Sequence, residues 1–384
     1  MAPNLTTASA LFLETTQDSV VYQSKSQKSA SAARPRSGLQ KVQAEHKDEP
    51  GKQYNLKIRW RNVIAFLYLH VFTLYGIYLA FTAAKYQTNI WTTAVLIFAS
   101  IGVTAGAHRL WCHRSYKAKL PLRILLCIMQ TIAFQNHIYE WVRDHRVHHK
   151  FTDTDADPHN SKRGFFFCHI GWLMVRKHPD VKIKGKTVDM SDLESDPVVV
   201  WQRRTYLVTM PLLCFVLPAL VPVYFWNEDP WVSWYVASVM RYTLQLNGTW
   251  LVNSAAHMWG YKPFDKDISA VENLTVASLG FGEGWHNYHH VFPWDYKAAE
   301  LGPYRTNWTT GFIDFFSRIG WAYDLKTVST EMIRRRAART GDGSRHSDAP
   351  LEDLHETDNS IWGWGDKDMP EEDIKEVRIY NKCN

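Results

Sequence analysis

Four long apolar runs dominate the hydropathy pattern. Asn62–Ala83 (NVIAFLYLHVFTLYGIYLAFTA) carries no charge, and Asn89–Ala107, also uncharged, follows after the link KYQT. A second pair, Tyr206–Trp226 and Trp231–Val252, is joined by NEDP and contains one charge, Arg241. A helix needs about 20 apolar residues to cross a hydrocarbon core of about 30 Å. The pattern therefore predicts an all-α integral membrane protein with four transmembrane helices in two hairpins, spans about 62–83, 89–107, 206–226 and 231–252. Buried helices of a soluble protein are the alternative, which runs of this length disfavour. Leu120–Phe134 and Phe165–Val175 are apolar but too short to cross, and predict interfacial or packing helices.

The polar segments bracket this core. Residues 1–55, rich in Ser, Gln, Lys and Ala without apolar periodicity, predict a disordered cytosolic N-terminal segment, and no secretory signal pattern is present. Residues 331–384 predict a basic helix end and a charged cytosolic tail, leaving 56–330 as the membrane domain. RRRAAR in that tail resembles a nucleic-acid patch, but a solvated helix end beside a membrane is the preferred reading, and no nucleic-acid partner is expected. Lys57, Arg59 and Arg61 precede the first span; Arg109, Arg114, Lys117 and Lys119 follow the second; Arg203 and Arg204 precede the third. The positive-inside rule then places both termini and the central region in the cytosol, with Trp91, Trp226, Trp231 and Trp234 as an aromatic belt at the far interface. The net charge of +6 decides little alone.

Candidate chemistry lies beside these spans. Eight histidines form three clusters: His108 and His113 in HRLWCH, His145, His148 and His149 in HRVHH, and His286, His289 and His290 in HNYHH. In H-x-x-H-H the i, i+3 and i+4 side chains share one helix face, so three rings converge. His108 and His113 are five apart, about 140° around an α-helix; they share a site only if the helix bends or ends between them, or else they serve different metals. His257 is a ninth candidate, with Asn253 one turn earlier on the same face. All three clusters fall on the cytosolic side, whereas a metal transporter more often places ligands at mid-depth. An all-imidazole shell suits iron, copper or zinc, and this many rings fit two metals better than one. Hydrolytic zinc needs three protein ligands only. Two irons fit O2 chemistry at an unactivated C–H bond. The five scattered cysteines lack a C-x-x-C and read as reduced thiols, with Cys112 a bystander between two histidines.

HRLWCHRSYKAKLPLR, EWVRDHRVHHK, DADPHNSKRGFFF, NSAAHMWG and GEGWHNYHHVFPWDY resemble the membrane acyl-CoA desaturases of the stearoyl-CoA (delta-9) type, over about Lys57 to Thr330. Trp285, Trp294 and the following AAELG are closer to insect members. The resemblance implies a four-span endoplasmic reticulum enzyme with a cytosolic helical cap holding a histidine-rich dimetal site. It would use O2 and two electrons to insert a cis double bond into a fatty acyl-CoA. The implied di-iron ligands are His108, His113, His145, His148, His149, His257, His286, His289 and His290, with Asn253 through a water. Without an H-P-G-G haem sequence, electrons are expected from separate cytochrome b5 and its NADH-dependent reductase.

On the substrate side the resemblance implies Asn62, Asn136, Arg143, Asp144, Arg176 and Lys177 around the anionic CoA head group. For Asp144 a structural ion pair with Arg143 is the competing reading. A bend in the acyl tunnel would be shaped by Gln135, Trp141, Thr249 and Trp250, and its far end would lie near Leu96 and Ser100. Leu96 stands where the family often has an aromatic, which implies room for a chain at or beyond the usual length. His137, where the family has an acidic or other polar residue, reads as a surface or pocket-edge side chain. ISAVEN (Ile268–Asn273) varies with regioselectivity in insect members, which leaves delta-11 as an alternative to delta-9. A related histidine-box hydroxylase is the nearest enzymatic rival. The sequons at Asn4, Asn247, Asn273 and Asn307 fall in cytosolic or membrane positions, so glycosylation is not expected.

Overall fold

The computed structural model describes residues 56–300, 306–345, 364–365 and 371–382; the expectation for residues 1–55 lies outside them. Among the described residues, three helices are long and apolar enough to cross a bilayer: α1 (Trp60–Thr82), α2 (Tyr86–Cys112) and, after α3 (Leu120–Ala133) and α4 (Ile138–Phe151), α5 (Pro197–Trp226). The fourth expected span differs. Pro230–Ser233, Trp234–Met240 and Arg241–Asn253 run on without a break as α6, residues 230–253, but this helix is not apolar enough to cross by composition alone. Arg241, Thr243 and Gln245 are buried in it. Arg241 donates to the carbonyls of Ile132 and Cys214 and to Gln245 Oε1. The charge is tolerated because protein, rather than lipid, surrounds it.

The outward faces are apolar. On α1, Trp60, Ile64, Leu67, Val71, Leu74 and Phe81 are exposed at alternating spacings of three and four, or their sum, while Phe66, Leu69, Thr73 and Gly76 face inward. Such a stripe suits a lipid environment. Gly76 permits close approach of α1 to α6: a Cβ there would lie 2.6 Å from the Tyr235 carbonyl oxygen.

The two hairpin links meet. Glu228, almost fully buried, accepts from the Lys85 amide at 2.8 Å and the Thr88 hydroxyl at 2.5 Å, and Lys85 Nζ donates to the Trp226 and Asn227 carbonyls. Because α2 and α6 both start at these links, their far ends, with His108 and Asn253, lie together at the opposite end of the bundle. Leu120–Ala133 behaves as a packing helix: α3 crosses α2 at Gly102, where a Cβ would lie 2.4 Å from the Met129 and Gln130 backbone.

Shorter elements close over that end: α7 (Leu274–Leu279), α8 (His286–Val291), α9 (Trp308–Arg318) and α10 (Thr330–Thr340). Strand β1 (Lys117–Ala118) pairs antiparallel with β2 (Ala322–Tyr323), and β3 (Leu325–Thr327) with β4 (Arg378–Tyr380). The C-terminal segment, expected only as a charged tail, thus returns to pair with the body of the protein. Arg109, counted above among the charges that follow the second span, is 1% exposed. It is held by Glu283, the Tyr296 and Lys297 carbonyls, Asn307 and Thr310.

Candidate metal centre and acyl channel

The last eleven residues of α2, Gly102–Cys112, form a π-helix. Its hydrogen bonds close on residue i+5, and the His113 amide continues the pattern by donating to the His108 carbonyl at 3.1 Å. The wider turn places His113 above His108, so the five-residue spacing serves one site without a bend. In α4 the α-helical register brings His145, His148 and His149 to one face, and in α8 it does the same for His286, His289 and His290. The α4 N-terminus is fixed by His137, whose Nδ1 accepts from the Glu140 amide at 3.1 Å. That helix-capping contact was not anticipated for a pocket-edge side chain. His257 lies on a 3-10 turn, Ala255–His257, just past α6.

The nine rings fall into two groups: His108, His113, His145, His149 and His289, and His148, His257, His286 and His290. In the first, Nε2 atoms lie 3.0 Å apart for His108–His289, 3.1 Å for His289–His149 and 3.2 Å for His149–His145. In the second, the separations are 3.3 Å for His148–His290, 3.1 Å for His290–His286 and 3.0 Å for His286–His257. Three Nδ1 atoms already have oxygen partners: Glu283 at 2.8 Å from His108, Asp157 at 2.9 Å from His148 and Ser269 at 2.8 Å from His257. Their Nε2 atoms are then free to act as metal ligands beside the neighbouring rings of His289, His290 and His286, whose own Nδ1 atoms have no partner among the described residues. Metal–imidazole bonds of about 2.1 Å set ligands at right angles about 3.0 Å apart, which matches these separations. The residues present fit two metal ions, one per group.

Electrostatics agree. Burial, then the neighbouring rings, push His113, His145, His149, His286, His289 and His290 well below the usual imidazole range. Burial likewise brings His148 to about 4 and His257 to about 3. The rings stay neutral and retain ligand lone pairs. Burial pushes the Glu283 carboxyl up, but Arg109 and His108 outweigh it and hold the group at about 2. Glu283 and Asp157 thus orient ligands from behind. Neither role was anticipated, although both residues stand inside motifs quoted above, GEGWH and DADPH. His159, also unanticipated, has its ring 4.2 Å from that of His148. Cys112 takes no part; its thiol points to the Val142 carbonyl at 3.9 Å.

Two cavities meet beside the rings. The outer arm is lined by Asn62, Asn136, Asp144, Trp172, Leu246 and Trp250 among others, and the inner arm by Leu96, Ser100, Val103, Leu244, Phe281 and others. Trp141, His145, Thr249 and Asn253 belong to both, so they mark the junction. Gln135, on the outer arm, donates to Thr249 Oγ1 at 2.8 Å and accepts from Trp141 Nε1 at 3.4 Å. The four residues expected to shape a bend therefore surround this junction. Ser100 at the inner end bonds the Leu96 carbonyl.

Asp144 receives Lys177 at 2.5 Å and Arg143 at 3.0 Å, so the ion pair is real and the carboxylate also lines the outer arm. Burial raises the Asp144 carboxyl, but Lys177 and Arg143 hold it below the usual range. Asn62 Nδ2 donates to Leu173, while its buried Oδ1 has no partner. Arg176 is tied through its amide to the Lys57 carbonyl.

Comparison with known proteins matches residues 88–300 to the family described as Fatty acid desaturase. The chain is 62% identical over 333 residues to an acyl-CoA Delta-9 desaturase of Acheta domesticus, covering 87% of this chain and 89% of the relative. It is 54% identical over 302 residues to the stearoyl-CoA desaturase of Homo sapiens, covering 79% and 84%. Similarity to an acyl-CoA Delta(11) desaturase of Spodoptera littoralis is 52% over 330 residues, covering 86% and 92%.

Proposed function

The chain belongs to the fatty acid desaturase family and is an acyl-CoA desaturase, and on that premise we propose that it inserts a cis double bond at delta-9 of a saturated long-chain acyl-CoA. The observation that carries this reading is the placement of two histidine groups, five rings and four, at the junction of a two-armed apolar channel. The greater identity to the relative named Delta-9 than to the one named Delta(11) supports the bond position.

The two groups would each hold one iron, with Asn253 completing the second through a water. When bound, the metal pair supplies reduction of O2 and oxidation of an unactivated C–H bond. In the balance, two electrons from the donor and two from the substrate C–C unit reduce O2 to two waters. The chain's own residues choose the bond. Gln135, Trp141, Thr249 and Trp250 hold the bend, and Leu96 with Ser100 bounds the inner arm. Lys177 and Arg143, drawn together by Asp144, present cationic charge to the CoA phosphates, with Asn62, Asn136 and Arg176 nearby. The apolar lining excludes water from the reacting carbons.

The electron donor is cytochrome b5, served by its NADH-dependent reductase, and the setting is the endoplasmic reticulum membrane with both termini cytosolic. α6 acts as a fourth span shielded by its neighbours. Expression in a yeast strain lacking its own desaturase, with mass-spectrometric location of double bonds, tests the proposal. The expected product is a delta-9 monoene. A delta-11 product overturns the bond assignment, and hydroxylated acyl chains would overturn the reaction class.

A further inference from the structure

Trp250 forms part of the outer arm, and three rings pack against its indole. Phe66, which lines the same arm, meets it edge-on at 5.5 Å. Outside the cavity lining, the His169 ring meets it edge-on at 5.7 Å, and the His70 ring stacks at 6.3 Å and 21°. Two of these three are imidazoles, and His70 lies in the middle of the apolar helix α1. A titratable ring within a membrane-spanning segment is costly unless it has a specific partner and purpose.

The partner is Asn247, one turn before Leu251 on α6. His70 Nδ1 meets the Phe66 carbonyl at 2.7 Å, so that nitrogen carries the ring proton and Nε2 is an acceptor. Asn247 Nδ2 donates to this Nε2 at 3.3 Å and to the Thr243 carbonyl at 2.8 Å. Its Oδ1 then accepts from His169 Nε2 at 3.2 Å. His169 Nδ1 meets Ser254 Oγ at 2.9 Å, and that hydroxyl, with one proton to share, also lies 2.8 Å from the Trp250 carbonyl. The Thr243 carbonyl and His70 Nε2 both call for the amide nitrogen of Asn247, so the carboxamide has one satisfactory orientation. The chain of bonds joins α1, the Phe167–Gly171 turn and the last turn of α6, and it surrounds Trp250 on the side away from the channel.

We propose that the His70–Asn247–His169 bridge is a positioning device that fixes Trp250, and through it the bend of the acyl chain, and so determines which C–C bond is oxidised. The inference rests on reading the two cavities as the acyl channel. None of the three side chains is among the residues lining either cavity, so they act through the indole. Positional selectivity demands that the chain not slide by one methylene, about 1.3 Å, a shift that a loosened ring would permit.

Asn247→Leu keeps the volume and removes both bridging bonds. It is to be compared with Trp250→Ala in the desaturase-deficient yeast, with double bonds located by mass spectrometry and expression checked by immunoblot. Both variants should raise the fraction of product carrying a displaced double bond, at least fivefold over the intact protein, and Asn247→His or Asn247→Gln should restore part of the selectivity. A shift with Trp250→Ala but none with Asn247→Leu overturns the bridge and leaves the channel reading standing. No shift with either variant overturns both. If Asn247→Leu fails to accumulate, His70→Gln decides on the same measurement: displaced product supports the bridge, and unchanged bond position overturns it.

Discussion

The amide of His113 donates to the carbonyl of His108 at 3.1 Å, and the two rings lie 4.8 Å apart. An α-helix closes on i+4, so this pair meets only because Gly102–Cys112 is wound as a π-helix. His113→Ala removes one ring of the five and leaves the backbone winding alone. The expected result is loss of about one metal ion per chain, measured by elemental analysis of purified protein, with helical circular dichroism retained. Full metal content in this variant would show that His113 is not a ligand.

That relationship also marks how far the sequence was legible. The H-x-x-H-H spacings imply one shared helix face because the α-helical period does so unaided. The three rings of each box do not, however, converge on one point as expected. His145, His149 and His289 join the five-ring group, and His148, His286 and His290 the four-ring group, because the two groups lie side by side along that face. The HRLWCH spacing left a choice among a bend, a helix end between the two rings, and separate metals. The helix does end at Cys112, but π winding, which depends on tertiary packing, here Gly102 against α3, is not encoded in local pattern. Glu283 and Asp157 were invisible as ligand partners for a similar reason: a carboxylate near a histidine in sequence has no assigned direction until the fold turns it inward. Arg109 was counted only as a positive charge flanking the second span, and its buried anchoring role was not legible because five of its bonding partners lie at residues 283–310, far along the chain. Apolar runs gave three of the spans directly. α6 was the harder case, since its polar half is stabilised by neighbours.

Leu96 lines the inner arm together with Ser100, far along α2 from the histidines. If the inner arm takes the methyl end of the chain as proposed, Leu96→Trp adds bulk there, and the longest accepted acyl group should shorten by two or more carbons. Competition between 14-, 16- and 18-carbon substrates, read by gas chromatography of the products, checks this. An unchanged product profile would remove Leu96 from the inner end of the channel.

Lys177 contacts Asp144 at 2.5 Å and Glu140 at 3.5 Å, with Arg143 sharing both carboxylates. If the pair of cations serves the CoA phosphates, Lys177→Met removes a charge-assisted contact and should raise KM for acyl-CoA about tenfold while leaving kcat within about twofold. A purely structural ion pair predicts the opposite division: lower thermal stability with KM unchanged. Steady-state kinetics and detergent-phase melting on the same preparation separate the two.

Asp192 ties down two of the three histidine-bearing segments of the first group. It accepts from Arg146 at 2.9 and 2.7 Å and from Arg114 at 2.8 Å; Arg146 lies between His145 and His148, and Arg114 follows His113. Burial raises its carboxyl, but hydrogen bonds from the two arginines outweigh this and bring it to about 2. A carboxyl depressed in the folded state stabilises above its unfolded value and loses that contribution as pH falls toward the folded one. The window is therefore from about pH 4 down to about pH 2. Because the side chain is 35% exposed, solvent screening reduces the contribution at neutral pH to about 1 kcal/mol. Asp192→Asn should lower the melting temperature at pH 7, and the gap to the intact protein should close as pH falls through this window. A gap of constant size across the window would mean that the carboxylate's charge contributes nothing.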